Sequence, residues 1–203
     1  MTPPEGLRSA LEQFAALLEY PTLNLPLQTD QCAHNLGRHC PEAAAKLCAL
    51  RDFARREPLT TVEELYTRTF ELHAKCYPYL GFHLFGDSYQ RAVFLSRLNG
   101  LYRQQSFSSG GELADHLPVI LRFLSEPADG EETAALFDEG LAPAVEKMTA
   151  TFNGDDNPYG EVIAALHVVL TRLGQDEARA SALFPPTDSS DQSDLPESYR
   201  LRA

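Results

Sequence analysis

The chain reads as an all-α protein, a single-domain bundle of about eight helices. Three observations carry that reading. Apolar residues recur at three- and four-residue spacing along nearly the whole length, which lines one face of a helix. The one segment with strand character, residues 76–85, has no second strand to pair with. At 203 residues and 43% hydrophobic content, the chain can fill one sizeable core without disulfides but is too short for two.

The elements follow in order. Leu7, Leu11, Phe14, Leu17 and Leu18 make a first stripe, entered through Pro3-Pro4 and closed by Pro21. A second helix is expected from about Asp30 to His39. Pro41 opens a third, with Ala44, Leu47, Cys48 and Phe53 inward. Thr61 with Glu64 reads as a capping box for a fourth, which carries Leu65, Tyr66 and Phe70. The aromatic piece from Cys76 to Phe85 contains Pro78 and Gly81 and reads as an irregular or partly helical connector.

Asp87 is placed to cap the next helix, whose stripe is Phe94, Leu98, Leu101 and Tyr102. A polar connector with two glycines leads to Pro118, which suits a first helical turn and sets Asp115 and His116 at or just before a helix start. Residues Glu131 to about Phe152 form one or two helices, bent or broken at Gly140 and Pro143. Asn157-Pro158 starts the last long helix, with Val162, Ile163, Leu166, Val169, Leu170 and Leu173 inward. Gly174 is its expected stop, and a short helix to Leu183 follows. The helical domain is thus residues 1–184, and 185–203, rich in Pro, Ser and Asp, reads as a disordered tail.

Charge and composition exclude several classes. The net charge of −12 argues against nucleic acid, whose phosphates need a basic surface. Acid is concentrated: from Phe123 to Glu146 there are seven acidic residues and no Lys or Arg. Such a stretch is either a solvated face or a field for a basic partner segment. No apolar run is long enough to span a membrane, and the N-terminus lacks the basic and apolar parts of a secretory signal, so a cytoplasmic location is expected.

Four cysteines, none in a C-x-x-C pair, fit a reducing compartment and read as buried apolar residues. There is no phosphate-binding loop, zinc-protease motif or nucleophile elbow. Glu71 and His73 have the wrong spacing to share a helix face, so neither a metal nor any other cofactor is expected, and no enzymatic activity. Among the histidines, His34 and His39 read as surface residues and His167 as a core residue. His116 stands apart because it adjoins Asp115 at a helix start. That pair serves either as a cap and tie for the connector or as a recognition site.

The segment from Gly86 to Leu124 carries more than its helices. Gly86-Asp87, Arg91, Tyr102-Arg103, Glu112-Leu113, Asp115-His116-Leu117 and Phe123-Leu124 resemble the hallmark region of the NarJ branch of the TorD/DmsD family. These are the dedicated maturation chaperones of molybdenum-cofactor oxidoreductases, including the nitrate reductase delta-subunit type. Weaker matches are Leu17-Leu18-Glu19-Tyr20-Pro21, Glu64-Leu65-Tyr66 and Phe70-Glu71-Leu72, so that the likeness covers most of residues 7 to 125. Ala114 stands where the family usually has proline, and Arg122 where the nitrate reductase chaperones commonly have an acid.

The resemblance implies a non-catalytic, system-specific chaperone. Its partner would be the N-terminal leader, a twin-arginine signal or its remnant, of a molybdoenzyme catalytic subunit. Binding would hold that client in the cytoplasm during cofactor insertion and assembly, before export or membrane attachment. The alternative is a generic helical adaptor with an unrelated client. On the leader reading, Asp115, His116 and Glu112 make polar contacts, while Tyr79, Phe82 and Tyr102 line an apolar wall. Gly86, Asp87, Arg91 and Leu117 brace the hallmark helices. The glycine-containing connector leaves monomer and domain-swapped dimer both open. The particular client molybdoenzyme is not named by these residues.

Overall fold

The first apolar stripe forms α1 (Glu5–Leu17) of a computed structural model that describes residues 5–126 and 130–183. The expected tail, 185–203, lies outside the described residues. Leu11, Phe14 and Leu17 of α1 are fully buried, and Pro21 ends the turn that follows.

The second helix begins five residues earlier than expected: α2 spans Leu25–Gly37, with Pro26 in its first turn. Leu25, Thr29, Cys32 and Leu36 form its buried face. Thr29 can occupy that face because its hydroxyl donates to the Leu25 carbonyl at 2.7 Å. A polar residue satisfied within its own helix hides the stripe from a reading of hydrophobicity alone.

Pro41 opens α3 (Pro41–Lys46) as expected, but the helix breaks at Leu47 and resumes as α4 (Cys48–Arg56). The buried line is Ala43, Leu47 and Leu50, while Ala44, Cys48 and Phe53 sit half-buried at its edge. Helix α5 (Leu59–Phe70) starts directly after Pro58. The Thr61 and Val62 amides donate to the Pro58 carbonyl, so Thr61 and Glu64 lie inside the helix and form no capping box.

The aromatic connector contains a short helix, α6 (Leu80–Phe85). Gly86 ends it at φ +65°, in the left-handed region that favours glycine. Helix α7 (Tyr89–Gln104) follows, and its N-cap position is held by Ser88 rather than Asp87, which is exposed and caps nothing. Leu98, Leu101 and Tyr102 are buried along it, with Phe94 packed at the rim.

Helix α8 (Leu117–Ser125) starts as expected, with His116 at its N-cap and Pro118 in its first turn. Seven of its nine residues are buried, so it is apolar all round and forms the centre of the bundle. It packs on α1, and Arg122 at its rim pairs with Glu19.

The acidic region is α9 (Glu131–Ala135), a π-helical segment (Leu136–Leu141) and α10 (Ala142–Ala150). The π segment holds Gly140 against the Leu136 side chain, where a Cβ would lie 3.1 Å from Leu136 Cδ1. Pro143 follows in the first turn of α10, so the wide turn absorbs the missing amide donor without unwinding the chain.

The last helix, α11, runs from Pro158 to Leu183 without a stop at Gly174. The Asn157 side chain caps it by accepting from the Tyr159 amide at 2.9 Å. A Cβ at Gly174 would meet open space, so that glycine costs the helix only its propensity, about 1 kcal/mol, and the chain continues through it. Helix α11 packs on α10, α3 and α4, and α6 rests on α7, the π segment and α10. Among the described residues there are eleven α-helical segments and one isolated β-bridge, between Tyr79 and His116. No described helix is long and apolar enough to cross a membrane.

Candidate functional site

The bridge joins the aromatic connector to the start of α8. The Leu80 amide donates to the Asp115 carbonyl at 2.8 Å, and the Leu117 amide donates to the Pro78 carbonyl at 2.8 Å. These bonds fasten Tyr79 beside His116, with ring centroids 5.5 Å apart. A single bridge suffices because α6 begins at once on one side and α8 on the other.

Beneath the two rings lies a buried ion pair. Asp115 is 0% exposed. Arg91 Nε donates to its Oδ2 at 3.0 Å, and Arg91 Nη2 reaches Oδ1 at 3.5 Å. The Arg91 guanidinium also lies 5.5 Å from the Tyr79 ring centroid, a cation–π arrangement. Gly81 makes this approach feasible: a Cβ there would stand 2.7 Å from Asp115 Oδ2 and 2.9 Å from Arg91 Cγ. Breaking such a buried pair from one side costs roughly 3–5 kcal/mol.

The six residues singled out for peptide contact therefore fall into two layers. His116, Tyr79, Phe82 and Glu112 reach the surface to differing degrees. Asp115 and Tyr102 do not: Tyr102 is 3% exposed, and its hydroxyl donates to the Ala114 carbonyl at 2.8 Å. Its ring packs against Phe107 and Phe123 in the core. Burial raises the Tyr102 phenol well above its ordinary range.

Titration in the outer layer follows from burial first. Desolvation lowers the pKa of His116, opposed by Glu112 and Asp115, so a neutral imidazole is favoured. Its Nδ1 is buried without a hydrogen-bond partner. Burial raises the Tyr79 phenol, and the exposed Glu112 carboxylate raises it further. His83, on α6, is also lowered by burial, and its Nε2 sits 2.7 Å from the Tyr77 carbonyl.

A row of aromatics that the sequence showed only as a cluster emerges on one side of α6. Tyr77 is 39% exposed, Phe82 36% and Phe85 41%. Tyr77 and Phe82 stack edge to face at 4.8 Å, and Phe85 leans on Phe94 at 5.6 Å. Helix α6 rests on the π segment and α10, where Lys147 of α10 donates to the His83 carbonyl at 3.1 Å, and Asp138, Glu139 and Glu146 are exposed on those same two segments.

The model for the nitrate reductase delta subunit family matches residues 38–165, well over half of the chain. The chain belongs to that family. Its match spans the aromatic connector, α7, the bridge and α8, so the elements that build the site are the family's own. The hallmark motifs between Gly86 and Leu124 thus lie within the stretch that the family model matches. The fold agrees. The crystal structure of a candidate redox enzyme maturation protein from Archaeoglobus fulgidus superposes with a TM-score of 0.56. It covers 81% of this chain and 93% of that one, at 20% sequence identity. No curated protein matches the chain.

Other clusters in this delta-family chain are chemically quiet. Burial pushes the Cys32 thiol up to about 12 and the Cys76 thiol to about 11, which keeps both protonated. Among the described residues no three His, Cys, Asp or Glu side chains gather to hold a metal ion. A groove of about 870 Å³ between α4, α5 and the start of α11 is floored by Phe53 and Leu65. Its rim mixes cations and acids, and it shares no residue with the Tyr79–His116 face.

Proposed function

We propose that this protein binds the N-terminal leader of a molybdenum-cofactor oxidoreductase catalytic subunit and holds that client in the cytoplasm while cofactor is inserted and subunits assemble. The observation that carries this reading is the exposed row of Tyr77, Phe82 and Phe85 on an element packed against the segments that bear the exposed Asp138, Glu139 and Glu146. A leader that is apolar along one helical face and basic at one end matches both halves of that surface. Apolar side chains would cover the aromatic row. The basic end would meet Glu112 and the acids of the π segment.

The buried layer supports the exposed one. On this reading His116, Tyr79 and Glu112 make the polar contacts and Phe82 lies in the wall, while Tyr102 holds the ground beneath them without touching the peptide. The connector after α7 has φ +55° at Ser106, +68° at Gly110 and +95° at Gly111. We read it as a hinge that lets α8 and the bridge adjust to a peptide, with exchange between protomers as its extreme.

Affinity capture with the full chain tests the function. The expected catch is a molybdoenzyme catalytic subunit with its leader intact. Replacing both Phe82 and Phe85 by serine should abolish that capture while circular dichroism shows the helical fold retained, with a fall of several degrees in melting temperature because each ring is still more than half buried. Capture of an unrelated client, or undiminished capture by the double variant, rejects the proposal.

A further inference from the structure

The Arg91–Asp115 pair bears on how the site manages charge, and the inference rests on the leader reading above. Asp115 occupies the position where direct contact with a basic leader would be expected. Its carboxylate is nevertheless wholly buried, with Arg91 donors on both oxygens and Gly81 closing over it. A ligand could reach it only by opening the bridge.

Arg91 differs from its partner. Its side chain is 19% exposed and lies against Tyr79, which in turn lies against His116. A guanidinium at this place, if left uncompensated, would sit directly under the surface that a cationic peptide approaches. Its repulsion would act in the same region as the attraction of Glu112.

We propose that Asp115 is a positioning residue for leader binding that acts through Arg91. It cancels the guanidinium's charge and holds the guanidinium flat on the buried side of Tyr79. The face left to the leader is then an aromatic ring with the Glu112 carboxylate beside it. Asp115 itself makes no contact with the peptide. Gly81 is part of the same device, because only a residue without a Cβ lets the carboxylate and the Arg91 stem meet there.

The two partners differ in what their loss leaves behind. Without the carboxylate, Arg91 can turn toward water and remain charged at the surface. Without Arg91, the carboxylate has no route to solvent. Removing both charges together leaves neither problem, and that asymmetry supplies the test.

The probe is a synthetic peptide with two adjacent arginines followed by a helical apolar run. Its binding to the wild-type full chain, to Asp115→Asn and to Arg91→Gln with Asp115→Asn is measured by calorimetry, with folding checked by circular dichroism. Asp115→Asn should weaken binding roughly tenfold at low salt, the effect of one unit charge at short range near a surface. The deficit should shrink at high salt. The double variant should recover to within about threefold of wild type, because the repelling charge has gone. A double variant no better than Asp115→Asn would mean that the carboxylate serves the peptide directly, and would overturn the proposal.

A second readout needs no substitution. The Arg91 Nε–H resonance of the wild-type protein should remain hydrogen-bonded when peptide saturates it. Loss of that signal on binding overturns the proposal even if a variant does not fold. A wild-type chain that binds no such peptide overturns the leader reading and this inference with it. Wild-type binding without rescue overturns this inference alone.

Discussion

The hydroxyl of Tyr102 donates to the carbonyl of Ala114 at 2.8 Å, so the last turns of α7 hold the connector one residue before the buried Asp115. The bond is internal to the core, where Tyr102 is buried. Tyr102→Phe should therefore lower stability by about 1–3 kcal/mol, since it leaves a buried carbonyl without its donor. In a chain of this size that is a fall of several degrees in melting temperature. Leader affinity should stay within about twofold. A large affinity loss at unchanged stability would place the phenol in the binding surface.

Gly81→Ala gains helix propensity of about 1 kcal/mol but forces a Cβ to 2.7 Å from Asp115 Oδ2. The neighbours cannot yield cheaply, because they form the ion pair and the Phe94 ring behind it. A net destabilisation of roughly 1–3 kcal/mol is expected in urea unfolding. Equal or greater stability would show that the carboxylate and Arg91 move apart freely.

Binding should weaken as salt rises. Glu112, Asp138, Glu139 and Glu146 are exposed, and exposed charges are screened beyond about 8 Å at physiological ionic strength. Calorimetric titrations of leader peptide at low and high salt measure the slope. Affinity independent of salt would leave only the aromatic row as the source of binding.

Stability should depend on pH through two imidazoles. Burial lowers the folded-state pKa of His116 and His83 below the ordinary 6.5, so the unfolded chain takes up protons first as pH falls. Their contribution is fully present above about pH 6.5 and is lost as pH drops through 6.5 toward the folded values. Melting temperatures between pH 8 and pH 5 should show that decline. His83→Gln with His116→Gln should flatten it, and an unchanged slope would assign it to other groups.

Removal of residues 187–203 should change neither melting temperature nor leader affinity. The segment offers few apolar side chains, chiefly Leu195, Tyr199 and Leu201, to offset the entropy of ordering it. A clear loss of either would mean that those three residues dock on the domain.

Much of the fold was legible because helices announce themselves by period and punctuation. Pro41, Pro118 and Asn157-Pro158 begin α3, α8 and α11 where sequence places them, and the six apolar positions named in α11 are all buried. The misreadings arose where a local signal had a stronger competitor. Thr29 hid the start of α2 by bonding within its own helix, Pro58 started α5 ahead of the Thr61–Glu64 box, and Ser88 took the cap position next to Asp87.

The sequence by itself determined that Asp115 and His116 stand at a helix start, in a segment with a family's hallmark. It could not determine that one turns inward and the other outward. That depends on a bridge to Pro78 and Leu80, on an arginine twenty-four residues away, and on the missing Cβ of Gly81. Neighbouring residues off the end of a helix point in different directions. Only the bridge between Tyr79 and His116 and the reach of Arg91 from α7 decide which side chain is sealed into an ion pair and which stays nearer the surface.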